Sequence, residues 1–185
     1  MHTPRSATDL KDHIMQMPQV TVHLLEDDGA IPNNKKLPLL VYQAAVTLPK
    51  HDPPSIFEAV FRANGWRGSW RNGIYSFHHY HSAAHEALGI ASGTAKVQFG
   101  GEKGVILTVQ AGDVVVIPAG VGHKNLGASQ DLCVVGAYPP GQRVDLCKGE
   151  PSERPWALQS IAKVPLPDTD PVYGEQGPLM REWVD

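Results

Sequence analysis

The sequence predicts an all-β domain, a sandwich or a small barrel. Glycine (18) and proline (16) are both frequent among the 185 residues, which favours short strands joined by turns over long helices. From residue 73 to residue 140, short apolar or alternating segments follow one another with turn sequences between them, and this spacing is typical of sandwiches and barrels. A chain of this length can bury one sizeable core, so we expect a single domain over residues 1–185,.

Composition excludes several classes of partner and location. The formal net charge is -3, which gives no reason to expect nucleic acid or an acidic membrane as a partner. The first residues contain no apolar run that resembles a signal peptide, and no apolar stretch is long enough to span a membrane,. Cys133 and Cys147 lack the CxxC spacing of a zinc or redox motif,. We therefore expect a cytoplasmic protein.

Three segments precede the first glycine-rich stretch. Residues 1–18 are polar and are predicted to form an N-terminal arm. Residues 20–25 alternate in polarity and predict a strand,. Residues 39–47 form an apolar run that fits either a helix or a strand, with a slight preference for a strand,.

A helix is predicted next. Asp52 is a suitable N-cap and Pro53 suits the first turn, while Asn64 and Gly65 are typical of a helix end,. The apolar stripe of this helix comprises Ile56, Phe57, Val60 and Phe61,.

Trp66 and Trp70 lie in the glycine-rich segment after that helix, which is predicted to be a loop. They either pack the helix onto a sheet, or one of them forms the wall of a ligand pocket. The strands predicted after this loop are 74–81, 86–91, 94–99, 105–110, 114–117, 123–126 and 132–138.

Residues 142–185 are rich in proline and show little periodicity, apart from a helical turn or two at 156–162. They nevertheless carry large apolar side chains such as Trp156 and Trp183, and exposing these to water is unfavourable. We predict an ordered strap that lies across the barrel or on a second subunit. The alternative is an unstructured tail.

Histidines cluster in one stretch. His78, His79, His81 and His85 fall within eight residues, and Glu86 follows them. On a strand, His79 and His81 share one face because side chains alternate. Two imidazoles and a carboxylate provide three of the four corners of a metal site. A chance cluster near a surface turn is the alternative interpretation.

A second stretch, thirty residues further on, favours the metal site. It runs from Gly112 through a buried-strand segment and a Pro-x-Gly turn to His123. Together the two stretches resemble the paired motifs of the cupin family, G-x5-H-x-H-x4-E-x6-G and G-x5-P-x-G-x2-H-x3-N. The matching positions are Gly73, His79, His81, Glu86 and Gly93 in the first motif, and Gly112, Pro118, Gly120 and His123 in the second.

One motif position departs from the family pattern. Gly127 stands where the motif has Asn, and the nearest Asn is Asn125. That Asn is not a metal ligand in the family, so the departure concerns a turn or the pocket rim. The run HKNLG at 123–127 is similar to a group of small, uncharacterised bacterial cupins.

The resemblance implies a cupin double-stranded β-helix, a jelly-roll barrel, with its core at about 66–140, one or two short helices and the strap 142–185. It also implies that His79, His81, Glu86 and His123 bind one divalent first-row transition metal per chain: Fe, Mn, Ni, Zn, Co or Cu. Four protein ligands leave a coordination position open for substrate. Cupins commonly pair, so we expect a homodimer.

The function implied is that of a metal-dependent oxygenase, decarboxylase or isomerase acting on a small polar metabolite, anionic or rich in oxygen. The alternative is a non-catalytic module that binds or senses such a ligand. Further pocket or supporting residues are predicted to be His85, Gln98, Asn125 and Trp70. If Glu86 points inward, His85 should point outward and support the site or lie at the surface; the alternative is that it joins the site.

Overall fold

The computed structural model describes residues 7–185, so residues 1–6 of the predicted arm lie outside the described residues. In the rest of the arm, helix α1 (Ala7–Lys11) is followed by a β-bridge between Ile14 and Val46. The part of the arm that the structure describes is therefore joined to the main sheet.

The predicted all-β jelly roll is confirmed by two antiparallel sheets. A six-stranded sheet has the order β1-β2-β7-β4-β9-β3, and a three-stranded sheet has the order β6-β5-β8. The strands are β1 (Gln19–His23), β2 (Leu39–Gln43), β3 (Arg67–Asn72), β4 (Glu86–Ser92), β5 (Thr94–Phe99), β6 (Val105–Gln110), β7 (Val114–Ile117), β8 (His123–Ala128) and β9 (Cys133–Tyr138). The remaining helices are α2 (Pro54–Ala63), the 3-10 turn Pro151–Glu153, α3 (Arg154–Lys163) and α4 (Pro178–Glu182). None of the helices in residues 7–185 is long and apolar enough to cross a membrane.

The inner strands β2, β4 and β7 of the large sheet are buried on both faces. On β4, Ala87 and Ala91 pack outward against a core that includes α2, whereas Leu88 and Ile90 pack inward with β5. All four residues of β7 are buried, as expected for a continuous apolar strand covered on both sides. The inner core lies between the two sheets and supports the predicted site residues.

Helix α2 lies where the sequence predicts it, but its cap differs. Pro53 is the N-cap and no side chain caps the helix. The Asp52 main chain has a φ of 48°, and its carboxylate accepts a hydrogen bond from Arg71. The predicted apolar stripe is buried. Gly89 of β4 makes this packing possible, because a Cβ there would lie 2.3 Å from the Phe57 ring.

Two predictions near the histidine cluster are wrong, one of a loop and one of a strand. The segment predicted as a loop after α2 forms β3, which pairs with β9 through a register shift between Arg67 and Trp70. The segment 74–81 is not a continuous strand; it makes only isolated bridges. Its two bridges have different partners, since His79 pairs with His123 and Tyr80 with Cys147, and a regular ladder to one neighbour is therefore interrupted.

The C-terminal segment 142–185 is ordered, and its last part packs on the outer face of the large sheet. It contains α3 and α4, more helix than the sequence predicts. Leu179 and Trp183 are buried in the outer core. Asp170 anchors the segment by accepting a hydrogen bond of 2.6 Å from the Tyr42 hydroxyl on β2. Trp156, by contrast, stays half exposed.

Candidate metal centre

His79 and His123 are brought together by a main-chain bridge. His123 N donates to His79 O at 2.9 Å and His79 N donates to His123 O at 3.3 Å. The two rings consequently lie with their centroids 4.0 Å apart. One histidine comes from the segment before β4 and the other begins β8, so the bridge joins the two predicted motifs.

His81 completes the cluster. Its carbonyl accepts a hydrogen bond of 2.8 Å from Gly120 N, so the Pro-x-Gly turn of the second motif holds the main chain of this histidine. One ring nitrogen from each of the three histidines lies within 4.8 Å of the others. His79 and His123 are buried and His81 is nearly so.

The three imidazoles share a hydrogen-bonding pattern that suits metal ligands. Each Nδ1 lies within hydrogen-bonding distance of a main-chain carbonyl: Phe77 O at 3.0 Å from His79, Asp145 O at 2.5 Å from His81, and Val121 O at 3.2 Å from His123. A carbonyl can only accept, so Nδ1 carries the proton in each neutral ring. The lone pair is then left on Nε2, as in most histidine metal sites.

Glu86, the first residue of β4, points its carboxylate into the same cluster. Its Oε2 lies 3.1 Å from His81 Nε2 and 3.4 Å from His123 Nε2, yet this buried oxygen has no hydrogen-bond partner of acceptable geometry. Short distances without hydrogen-bond geometry are expected where atoms converge on a common point. Three imidazoles and one carboxylate are a suitable ligand set for a divalent first-row transition metal. The residues present therefore fit such an ion.

The charges in the metal-free cluster favour one ion pair. Burial opposes ionisation of Glu86, but His81 and His123 outweigh it and hold the pKa of that carboxyl well below its usual range. Burial also opposes protonation of His81, but Glu86 and Asp145 outweigh it and raise the pKa of His81 to about 9. Burial and repulsion from His123 lower the pKa of His79 to about 3. A bound cation would thus take the place of the His81 proton beside Glu86.

A cavity of about 420 Å³ opens above the cluster. The cluster residues His79, His81, Glu86 and His123 lie at its base. The remaining walls are mainly aromatic and aliphatic, and they include Trp70, Ile74, Tyr75, Leu88, Tyr138, Val144 and Leu146.

Of the four further residues predicted near the site, the structure places one in the cavity. Trp70 lines it and donates a hydrogen bond of 2.7 Å from Nε1 to the Tyr138 hydroxyl. The other tryptophan of that segment, Trp66, is buried in the outer core instead. Each interpretation therefore applies to one tryptophan: Trp66 packs in the core with the helix, and Trp70 forms part of the wall of the cavity.

The remaining three residues lie outside the cavity lining. Gln98 turns to the Glu102 carbonyl, and Asn125 accepts a hydrogen bond from Gly127 N within its own turn. His85 points away from the cavity and is buried, with its ring centroid 4.8 Å from that of Trp183. Its Nδ1 accepts a hydrogen bond from Ala119 N. His85 therefore connects the second motif to the C-terminal segment.

Several residues of the site have no signal in the sequence. Tyr138 ends β9, and Val144 and Leu146 lie beyond the last strand, so none of them falls in a motif. Asp145, between these two, accepts hydrogen bonds from Ser82 N at 2.8 Å and Ala83 N at 3.3 Å. The main-chain carbonyl of Asp145 is the acceptor for His81. The start of the C-terminal segment thus both forms a wall of the cavity and orients a ligand.

Comparison with known proteins identifies the family of the chain. A family model described as the cupin domain matches residues 71–135. Uncharacterized protein YjlB of Bacillus subtilis (strain 168) is 42% identical over 166 residues, which cover 90% of this chain and 98% of YjlB. The chain belongs to the cupin family. In this cupin, the matched residues include all four predicted ligands.

Three solved structures show partial likeness to this cupin. Acireductone dioxygenase from Bacillus anthracis, solved with a cadmium ion in its active centre, is 15% identical with a TM-score of 0.34, covering 45% of this chain and 60% of that chain. A DUF861 family protein from Thermotoga maritima is 22% identical with a TM-score of 0.31, covering 49% and 94%. Oxalate decarboxylase of Bacillus subtilis is 18% identical with a TM-score of 0.34, covering 62% and 28%. The family assignment rests on the sequence matches.

Proposed function

We propose that this cupin binds one divalent first-row transition metal per chain through His79, His81, Glu86 and His123, and that it is a metal-dependent enzyme. The observation that carries the proposal is the convergence of three imidazoles at the base of a cavity, with a buried carboxylate oxygen that makes no hydrogen bond beside two of them. Buried ionisable groups of this kind are costly unless they are paired or bind a metal.

The open cavity favours a catalytic over a structural metal. Structural sites are closed by protein ligands, whereas catalytic sites keep a position for water or substrate. Four protein ligands do not saturate an ion that takes five or six, and the cavity lies directly against them. When bound, the metal supplies a Lewis acid that polarises a substrate oxygen. Glu86 would offset part of the charge of the metal. The main-chain carbonyls that accept from Nδ1 hold the imidazole rings in a fixed orientation.

The reaction is of the oxygenase, decarboxylase or isomerase type, on a small metabolite that reaches the metal through oxygen. An isomerisation through an enolate, or a decarboxylation next to a carbonyl, moves charge onto a substrate oxygen that a Lewis acid would stabilise. An oxygenation would need a redox-active ion such as Fe. Apart from the four ligands, the described lining residues include no carboxylate, lysine or cysteine to serve as a base. That observation supports the second candidate, a module that binds or senses a ligand through the metal without converting it.

One experiment separates the two candidates. Purified protein is loaded in turn with Fe, Mn, Ni, Zn, Co or Cu, its metal content is measured, and small oxygenated acids are screened for a rise in Tm and for conversion. An enzyme converts at least one ligand with one metal, and His81→Ala abolishes the conversion; a binding module shows the rise in Tm alone. A loaded metal with no exchangeable water by relaxation measurements would contradict both.

We further propose a cytoplasmic homodimer. The edge strands of the two sheets carry exposed apolar side chains, Val22 on β1 and Ile106 on β6, and exposed edges of this kind favour pairing with a second copy. Light scattering coupled to size exclusion tests it, with Val22→Lys and Ile106→Lys expected to shift the species towards monomer.

A further inference from the structure

We propose that the substrate of this site has an apolar, ring-sized body attached to one oxygen-bearing head, and that the cavity walls select that body. The head rests on the proposed function, because it is the part that would reach the metal. The body is inferred from the walls alone. This narrows the small polar metabolite expected from the sequence to a molecule that is polar at one end only.

The walls present apolar surface to the cavity. Trp70 and Tyr138 line one part of it, and the indole N–H is already used in the hydrogen bond to the Tyr138 hydroxyl. Leu88, Val144 and Leu146 add aliphatic surface to the lining. Aromatic and aliphatic side chains of this kind bind a flat apolar group through its faces and edges.

The apolar surface continues out to the mouth of the cavity. Tyr75 is 53% exposed and its ring stacks on that of Phe77 at 4.9 Å between centroids. Val144 and Leu146 are 41% and 47% exposed. Contiguous exposed apolar side chains beside a cavity are typical of a ligand-binding groove. A ligand with an apolar body would cover them.

The charges around the cavity argue against a molecule that is polar throughout. Among the described lining residues outside the cluster, the only cation is Arg71. Its guanidinium is bonded to Glu58 and to Asp52, so its charge is offset. Asn72 uses its side-chain oxygen to accept from Gly73 N, so the uncharged polar groups that remain in the lining are its amide N–H groups and the hydroxyls of Tyr75 and Tyr138. A second carboxylate, or the hydroxyls of a sugar, would therefore find few partners outside the metal end.

The size and shape of the cavity favour a small molecule over a second copy of the chain. A volume of about 420 Å³ lies within the range of small-molecule sites. The base is closed by the buried histidines, so an occupant enters from one side and meets the ligands last. The head of such a ligand would meet the polar cluster at the base, and its apolar body would lie against the apolar walls nearer the mouth.

Two probes with the same metal-binding head test the proposal. Acetohydroxamate and benzohydroxamate both bind divalent metals through two oxygens, but only the second carries a ring. Their affinities for full-length, nickel-loaded protein are measured by calorimetry, and each is corrected for its affinity for free nickel. We expect benzohydroxamate to bind about tenfold more tightly, because burying a ring in apolar walls is favourable.

Two matched variants locate the effect. Leu146→Asp changes an exposed lining residue, and Leu158→Asp changes a similarly exposed leucine on α3 that does not line the cavity. The first should remove most of the preference for benzohydroxamate over acetohydroxamate, and the second should leave that preference unchanged. Both side chains are half exposed, so the fold should tolerate either change.

The outcomes distinguish this inference from the proposed function. Equal corrected affinities of the two probes would overturn the apolar body and leave the open metal site standing. Binding of neither probe to nickel-loaded protein would overturn both. If Leu146→Asp changes the oligomeric state in light scattering and leaves the preference intact, the apolar mouth is covered by a second copy and the inference is wrong.

Discussion

Glu86 and Asp170 are both buried carboxylates, but they differ in the number of hydrogen bonds that they accept. Asp170 accepts from the Tyr42 hydroxyl at 2.6 Å and from the main-chain N–H groups of Leu179, Val172 and Tyr173 at 3.1, 2.8 and 3.0 Å. Glu86 stands among imidazoles, and its buried Oε2 has no hydrogen-bond partner.

The difference separates a structural carboxylate from a functional one. A buried charge is tolerated when its hydrogen bonds are complete, and then it fixes the position of the groups that donate them. Asp170 in this way fastens the C-terminal segment to β2. A carboxylate left incomplete in an otherwise well-packed protein indicates a missing partner. For Glu86, whose Oε2 lies 3.1 Å from His81 Nε2 and 3.4 Å from His123 Nε2, the partner that we propose is a cation.

The largest expected effect concerns Asp170. Asp170→Ala leaves the Tyr42 hydroxyl and the main-chain N–H groups of Val172 and Tyr173 without their acceptor in the interior, whereas Leu179 N keeps the Tyr42 oxygen at 3.1 Å. We expect the free energy of unfolding to fall by about 3 kcal/mol, which lowers Tm by roughly 6–12 °C for a chain of this size. Thermal denaturation of metal-free protein measures it. Asp168→Ala, at an exposed position two residues earlier, is the control and should shift Tm little; an equal loss in both variants would contradict the anchor.

The next effect concerns the imidazoles. His123→Ala removes one Nε2 ligand from the cluster, and we expect metal affinity to fall at least about 100-fold, since even changes behind the ligands cost 10–100-fold in such sites. Competition with a chelating dye measures the affinity. His51→Ala, an exposed histidine outside the cluster, should leave both affinity and stoichiometry unchanged. Unchanged binding in His123→Ala would show that the metal lies elsewhere.

His85 lies beside Glu86 in sequence but packs on Trp183. Because its imidazole is buried, the stability of the protein should depend on pH through this residue. Burial lowers the pKa of His85 to about 4 from 6.5. The unfolded chain therefore binds more protons between those values, and stability is lost as pH falls through that window. From pH 6.5 to 5 this group should cost about 2 kcal/mol.

Urea denaturation of metal-free protein at the two pH values measures that loss. His85→Asn keeps an acceptor for Ala119 N and cannot titrate, so its stability should fall by about 2 kcal/mol less than that of the unaltered protein over the same range. Parallel losses in the two proteins would show that His85 is accessible to protons in the folded state.

Asp145 joins the two regions and should give a smaller effect. Asp145→Ala removes the side-chain acceptor for Ser82 N and Ala83 N, so the carbonyl that orients His81 is no longer held. We expect metal affinity to fall roughly tenfold. Asp145→Asn keeps an acceptor oxygen and should restore most of the affinity, and Glu150→Ala, exposed in the same segment, should have no effect. Loss in Asp145→Asn equal to that in Asp145→Ala would contradict a positioning role.

The smallest effect on stability is expected at Glu86 and completes the contrast with Asp170. Glu86→Gln keeps the volume, and His81 loses its proton once the carboxylate is gone, so no buried charge remains unpaired. We expect the free energy of unfolding of metal-free protein to change by less than about 1 kcal/mol, while metal affinity falls roughly tenfold. Chemical denaturation and dye competition give the two values. A loss of stability as large as that of Asp170→Ala would make Glu86 structural.

Much of the fold and the pairing of His79 with His81 could be predicted from the sequence because they depend on local geometry. The resemblance to the cupin motifs implied that Glu86 and His123 join them. Alternation along an extended segment places His79 and His81 together and turns His78 the other way, to Glu102, even though the segment is not a regular strand. The Pro-x-Gly turn sets where His123 begins β8. These relations involve neighbours in the chain, so their spacing is visible in the sequence.

The walls of the cavity and the supports of the ligands could not be read in the same way. Asp145 is 64 residues from His81, and Trp183 covers His85 from almost the end of the chain. Gln98 and Asn125 have suitable side chains, but their nearest partners are in their own turns. Sequence spacing determines the direction of a side chain relative to its own strand. Which distant segment meets it is decided only when the two sheets close and the C-terminal segment packs across them, because that packing depends on burial summed over the whole core.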